Sequence, residues 1–421
     1  MNREKQKTTG TEIFHSAPIP EAVLKNAVPA MMAMLMVLVY NLADTFFIGQ
    51  THEALQVSAV SLATPIFLIF MSIGTIFGVG GTSVISRALG EGRKEYAKKV
   101  CSMCMWACVG IGVAMSACFL IFMDPLLSLI GASEDTWEMT KSYLTIVSFS
   151  GPFVLIANCF SNVIRAEGEA NKAMMGQLMG NALNVILDPI FILTLRMNVA
   201  GAAIATVIGN IVGAGYYILY FLRGKSTLSV NIRDFTLREK VLSSVFAIGV
   251  PAALGSLFMS LSQIIANARL AAYDDLALAG YGVAAKVTMI TGMVCIGLGQ
   301  GVQPLLGYCV GARLSERFRK VMRFSVVFGF LLSAFMTGLC YLLVKQIVGV
   351  FITEADALNY GMTFVRILLT TSFLFGIYYV FLNAIQAMGA GTESLLMNIG
   401  RQGLIYIPPC SFSKPSSASP D

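Results

Sequence analysis

Along most of this chain, apolar residues run on without alternation for about 20 residues at a time, and the charges gather in short clusters between the runs. A run of that length, wound at about 1.5 Å per residue, crosses a hydrocarbon core of roughly 30 Å. Backbone N–H and C=O groups cannot be left bare against lipid, so each run predicts a helix. The period-two alternation that a lipid-spanning strand needs is missing. About eleven spans follow, near 22–49, 55–82, 100–123, 141–164, 173–195, 200–222, 243–271, 277–310, 321–350, 360–387 and 395–409.

The charge clusters fix a direction. Arg93, Lys94, Lys98 and Lys99 follow span 2, Arg223, Lys225, Arg233, Arg238 and Lys240 follow span 6, and Arg313, Arg317, Arg319 and Lys320 follow span 8. The alternate loops are acidic, with Asp124, Glu134, Asp135 and Glu138, then Asp274 and Asp275, then Glu354 and Asp356. Basic loops stay in the cytoplasm, which predicts a cytoplasmic N-terminus.

The two halves also repeat. Gly90–Val100 aligns with Gly311–Val321, and Gly80 with Gly301, at a shift of about 221 residues; Val28-Pro29-Ala30 matches Val250-Pro251-Ala252. Six helices per copy is an even number, so the copies share one topology about an axis along the membrane normal. The expected architecture is an all-α membrane protein of two six-helix bundles related by pseudo-two-fold symmetry. Its parts are an N-terminal bundle over 1–222, a cytoplasmic linker over 223–242 and a C-terminal bundle over 243–409.

Composition agrees and narrows the chemistry. The chain is 56% hydrophobic and 12% charged, with mean hydropathy +0.74, where a soluble domain keeps roughly 25% charged. The net charge of +6 sits in loops and reads as membrane orientation, which leaves no expectation of a nucleic-acid partner. Most of the 9 cysteines fall inside apolar runs and form no paired CxxC framework. Gly224-Lys225-Ser226 resembles the end of a P-loop, but Leu219 stands where the upstream glycine belongs. His52-Glu53 lacks the second histidine of a zincin helix. An ATP-driven pump and an intramembrane protease are therefore unsupported, no enzyme is expected, and no cofactor is implied.

An acid inside a span is costly, about 2.5–3.5 kcal/mol at a helix centre, and tends to mark an ion pathway. Asp188 sits in an apolar stretch with Asn181 and Asn184 at i, i+3, i+7 spacing on one helical face. Asp44 lies towards the far end of span 1. A hydrated aspartate at a helix end is the alternative reading of each. The second half has no matching acid, since Ala266 stands roughly where Asp44 does; its polar candidates are Gln263, Asn267, Lys286 and Arg366. Pro29 and Pro251 could bend spans 1 and 7.

Asp44-Thr45-Phe46-Phe47-Ile48-Gly49, Gly78-Val79-Gly80-Gly81-Thr82-Ser83, Arg165-Ala166-Glu167-Gly168 and Asn184-Val185-Ile186-Leu187-Asp188-Pro189, in this order, resemble the multidrug and toxic compound extrusion (MATE) transporters. The resemblance implies a V-shaped central cavity opening alternately to each side, driven by entry of H⁺ or Na⁺. It implies cation coupling at Asp44, Asn184 and Asp188, where Na⁺ could sit, with Thr206 adding an oxygen. Asn158, Asn181, Gln263 and Asn267 are expected to line the cavity. The function implied is secondary active antiport of amphipathic, cationic small molecules across a bacterial inner membrane, with the bilayer and the cargo as partners and no obligatory protein partner. Two alternatives stay open: a flippase of lipid-linked precursors, and an inactive truncated transporter.

The second alternative comes from the end of the sequence. The family pattern has twelve spans, but after Tyr406-Ile407 a Pro/Ser-rich stretch begins that cannot continue a helix. About 11 of 12 spans are expected, leaving the second bundle incomplete and residues 410–421 a disordered tail.

Overall fold

The structure is a computed structural model that describes residues 10–50, 54–224, 226–271, 275–351 and 355–401. The last part of the eleventh expected span and the expected tail lie outside the described residues, as do His52, Lys225, Asp274 and Glu354.

Among the described residues the chain is helical throughout. In order come α1 (Gly10–Ser16), α2 (Ile19–Gly49), α3 (Ala54–Gly90), α4 (Lys94–Ile121), α5 (Met123–Leu129), α6 (Glu134–Phe149), α7 (Gly151–Ala166), α8 (Ala170–Asp188) and α9 (Asn198–Leu222). The second half holds α10 (Val241–Ala271), α11 (Asp275–Gly311), α12 (Ser315–Leu342), α13 (Val344–Phe351), α14 (Ala355–Ser372), α15 (Phe375–Met388) and α16 (Gly391–Ile399). Eight helices are long and apolar enough to cross a bilayer alone, and the bent pairs α6/α7 and α14/α15 bring the number to ten. These are the first ten expected spans; α16 begins the eleventh. Lys94–Lys99 and Ser315–Lys320, expected in loops, instead form the first turns of α4 and α12.

The two bends are accommodated in different ways. α6 and α7 meet at 56°, where Pro152 in the first turn of α7 has no N–H to give to α6. There Gly112 of α4 lies against Pro152, and a Cβ on it would come within 2.6 Å of the Pro152 Cα. The α14/α15 bend of 46° contains no proline. Instead Ser333 Oγ of α12 donates to the Phe373 carbonyl at 2.6 Å, using the acceptor that the break sets free. Pro29 and Pro251, by contrast, lie inside uninterrupted helices.

The two bundles meet along α3 with α10 and α2 with α11. The close approaches are made by glycines. A Cβ on Gly80 or Gly249 would strike the carbonyl of Val245 or Ile76, and one on Gly297 or Gly301 would meet the backbone of Met31 or Ala27. All of these lie in the halves of the helices nearer the basic loops. The bundles therefore close at the basic side and diverge towards the acidic side.

The linker belongs mechanically to the first bundle. Ser102 Oγ donates to the Asn231 carbonyl at 2.6 Å, Trp106 Nε1 to that of Val230 at 3.1 Å, and Lys99 pairs with Glu239 at 2.7 Å. Glu167, in the loop after α7, accepts from Tyr220 Oη at 2.7 Å, from Ser226 Oγ, and from both N and Oγ1 of Thr227 at 3.1 Å. Burial pushes the Glu167 carboxyl above its ordinary range, and these hydrogen bonds act in the opposite direction.

Candidate functional site

α8 and α9 approach backbone to backbone because both carry glycine at the crossing. A Cβ on either Gly180 or Gly209 would lie 2.7 Å from the other's carbonyl oxygen. One turn beyond that crossing, Asn184 stands opposite Thr206, with Asn184 Nδ2 and Thr206 Oγ1 3.3 Å apart. The neighbours assign the amide the other way round. Its nitrogen then donates to Asp188 Oδ2 at 3.1 Å and its oxygen accepts from the Thr206 backbone N–H at 3.0 Å.

Asp188 is fully buried at 0% exposure, and its Oδ1 has no hydrogen-bond partner. Asp44, on the neighbouring α2, acts on it electrostatically and has its own buried Oδ1 without a partner. Immediately after Asp188, Pro189 starts a π-helical turn, Pro189–Thr194, a departure from regular winding that often accompanies functional sites. Asp188 fully buried and Asp44 partly so, each with a buried oxygen that no hydrogen bond satisfies, can accept a proton or share a small hard cation with the nearby amide and hydroxyl.

Tyr40, one turn before Asp44, and Tyr143 of α6 share the electrostatic neighbourhood of the two acids. Sequence reasoning passed over both tyrosines. The i, i+4 relation of Tyr40 to Asp44 was the available signal for the first; nothing local marked the second.

Tyr40, Asn184 and Thr206 line a cavity of about 280 Å³, and the two acids lie behind them rather than in its wall. Its wall is apolar where Met34, Val37, Phe67 and Met71 line it, and rich in amides elsewhere, with Asn158, Asn162, Gln177, Asn181, Asn184, Asn210 and Gln300. Asn158 and Asn181 are both among these lining residues. Asn158 Nδ2 donates to the Met71 carbonyl at 3.0 Å, while the Asn181 Nδ2 has no partner. Gln263 and Asn267 are exposed on α10 and are not among the lining residues. Arg366 lies 5.9 Å from the centre of the Tyr341 ring and Lys286 is exposed; neither lines the cavity.

The family model described as MatE matches residues 29–190 and again 251–412. This chain belongs to the MATE family. The double match reproduces the repeat seen in the sequence. The multidrug export protein MepA of Staphylococcus aureus (strain MSSA476) is 33% identical over 401 residues, spanning 94% of this chain and 87% of the relative. MepA of Staphylococcus haemolyticus is 32% identical over 399 residues with the same coverage.

Among solved structures, a multidrug resistance MATE family transporter of the MOP superfamily in its outward-facing conformation superposes with a TM-score of 0.90. It is 25% identical and is matched over 95% of this chain and 89% of that one. MATE in the straight conformation gives 0.90 and in the bent conformation 0.84, both at 24% identity; the matches cover 95% of this chain and 89% and 88% of those chains. The protein is a multi-pass membrane transporter of the multidrug-export family.

Proposed function

We propose that this MATE transporter is an antiporter in which H⁺ or Na⁺, entering through Asp44 and Asp188, drives the export of amphipathic cationic small molecules. The observation that carries the reading is the fully buried Asp188, whose Oδ1 lacks a partner beside a second acid and an amide-lined cavity. A bare carboxylate there is costly, so a bound cation or proton lowers the energy of this arrangement. One positive charge moving down a 100 mV potential supplies about 2.3 kcal/mol for work on cargo. The apolar and methionine surfaces of the cavity suit varied hydrophobic ligands.

In this reading the basic side is cytoplasmic, the N-terminus lies in the cytoplasm, and the membrane is the bacterial plasma membrane. The cavity then faces outwards. Among the described residues its lining holds no lysine or arginine, which weighs against a flippase for pyrophosphate-linked lipids.

The test is efflux of a cationic dye from proteoliposomes, with imposed pH and Na⁺ gradients applied separately. Export driven by one gradient and lost in Asp188→Asn supports the proposal. Gradient-driven export that survives Asp188→Asn refutes the coupling assignment, and absence of export in the parent protein refutes the transport reading.

A further inference from the structure

Arg165, at the basic-side end of α7, is 1% exposed and makes no ion pair among the described residues. Its Nη1 donates to Asn162 Oδ1 at 3.2 Å within its own helix, and to Gln300 Oε1 of α11 at 2.9 Å, across the seam between the bundles. Its Nε and Nη2 have no partner. A buried cation held by two neutral acceptors is an expensive arrangement, tolerated only where packing imposes it. Here the closed seam imposes it, because parting the bundles would let water reach the guanidinium.

The other partner in the bond is placed differently. Gln300 and Asn162 both line the cavity, whereas Arg165 lies behind them. The position related to Arg165 by the repeat, about 221 residues later, is Gln386. It too is reached across the seam, by Ser83 Oγ of α3, which donates to its carbonyl at 2.5 Å. Both copies of this helix position therefore hold the two bundles together at the apex of the V, one by side chain and one by backbone.

We propose that Arg165 and Gln300 form the contact that ties cavity occupancy to closure of the cytoplasmic side. Gln300 is a positioning residue with two claims on its amide oxygen, one from cargo in the cavity and one from Arg165. Cargo that takes this oxygen removes the one cross-seam acceptor that the buried cation has among the described residues, and favours the state in which the seam opens. The inference rests on the outward-facing, cytoplasmic-side assignment made above but not on the coupling role of the acids.

The experiment measures closure directly, without cargo or ion gradient, so it stands apart from the outcome of the Asp188→Asn assay. Ser86, fully buried in the seam beside Gly307, is replaced as Ser86→Cys. Its reaction with a membrane-impermeant maleimide is followed in inside-out vesicles, against the same chain lacking that substitution. Gln300→Leu removes the acceptor and is expected to raise the labelling rate about tenfold, the size expected for losing a hydrogen bond to a charged group. Gln300→Glu supplies a carboxylate to Arg165 and is expected to slow labelling below the parent. Opposite shifts support the gate, because general damage would move both variants the same way. Rates within about twofold of the parent in both variants, or shifts of the same sign, overturn it. Should Gln300→Leu not fold, Gln300→Ser is judged by the same criteria.

Discussion

The Asn184 amide joins two elements: its nitrogen lies 3.1 Å from Asp188 Oδ2, one turn along α8, and its oxygen accepts from the Thr206 backbone N–H at 3.0 Å on α9. One oxygen of the acid is thereby held, and the other is left open. Asn184→Ala removes that restraint and leaves a second carboxylate oxygen unpaired. Losing a hydrogen bond to a charged group costs about 1.5–3 kcal/mol, so gradient-driven dye efflux is expected to fall about tenfold or more. Thr206→Val, which leaves the backbone N–H in place, is expected to have a smaller effect; equal losses in the two variants would contradict this division of roles.

The seam predicts a contrast between glycines. Gly249→Ala would drive a methyl group into the Ile76 carbonyl, and backbone cannot yield as a flexible side chain can. Overpacking of this kind costs typically 1–3 kcal/mol in the closed state, so the variant is expected to expose seam cysteines such as that of Ser86→Cys. Gly215, on α9, has nothing within 4 Å of its would-be Cβ. Gly215→Ala is expected to leave closure unchanged and to raise thermal stability slightly, since alanine is the better helix former by about 1 kcal/mol. Thermal melting of both variants in detergent separates the cases.

Arg317 of α12 caps α1. Its Nε donates to the Phe14 carbonyl at 2.7 Å, and its Nη2 to those of Ala17 at 2.7 Å and Ile13 at 3.3 Å. A planar fork can serve three carbonyls at once, and an ammonium cannot match that geometry. Both Arg317→Ala and Arg317→Lys are expected to accelerate proteolysis and amide exchange of Gly10–Ser16, the alanine variant more, while α2 stays protected. Unchanged exchange in both would show that apolar packing of Phe14 alone holds the helix.

Glu167 predicts a pH dependence. Burial raises its carboxyl in the folded protein, so the folded state binds this proton more tightly than the unfolded chain does. The stability this contributes is complete at pH below the unfolded carboxyl range and is lost as pH rises through the raised folded value. Glu167→Gln does not titrate. The melting-temperature gap between parent and Glu167→Gln is therefore expected to narrow with increasing pH across the carboxyl range and to level off above it. A gap that widens with pH would show the hydrogen bonds outweighing burial.

Ten spans were legible because hydrophobic length is a demand of the bilayer itself, written locally in the sequence. The bend at Ser150 could be suspected from Gly151-Pro152, but the one after Ser372 depends on Ser333, some 40 residues earlier, and has no local sign. α1 and α5 were missed as helices because 7 residues are too few to produce a hydropathy signal, and the span expected over 321–350 is divided into α12 and α13 by a break that hydropathy does not mark. At the site, Asn184 and Asp188 were readable from helical spacing alone, and Thr206 from the family resemblance. Tyr143 comes from α6, a different helix, and only tertiary packing brings it near the acids. The same holds for Arg165, whose cross-seam partner lies 135 positions away.

Between the stapled linker and α10 stand Glu239 and Lys240, both with φ of 59° and neither a glycine. Left-handed backbone at two successive residues with side chains is costly to hold. The linker that leads to this pair is anchored to the first bundle, and the Lys99–Glu239 ion pair extends that anchorage to Glu239 itself; the first helix of the second bundle begins directly after Lys240. The covalent joint between the halves is therefore a two-residue swivel rather than a slack tether. In the alternating-access reading proposed above, rocking of one half against the other would be taken up as torsion at Glu239 and Lys240, with a fulcrum for the second bundle beside the basic end of α4.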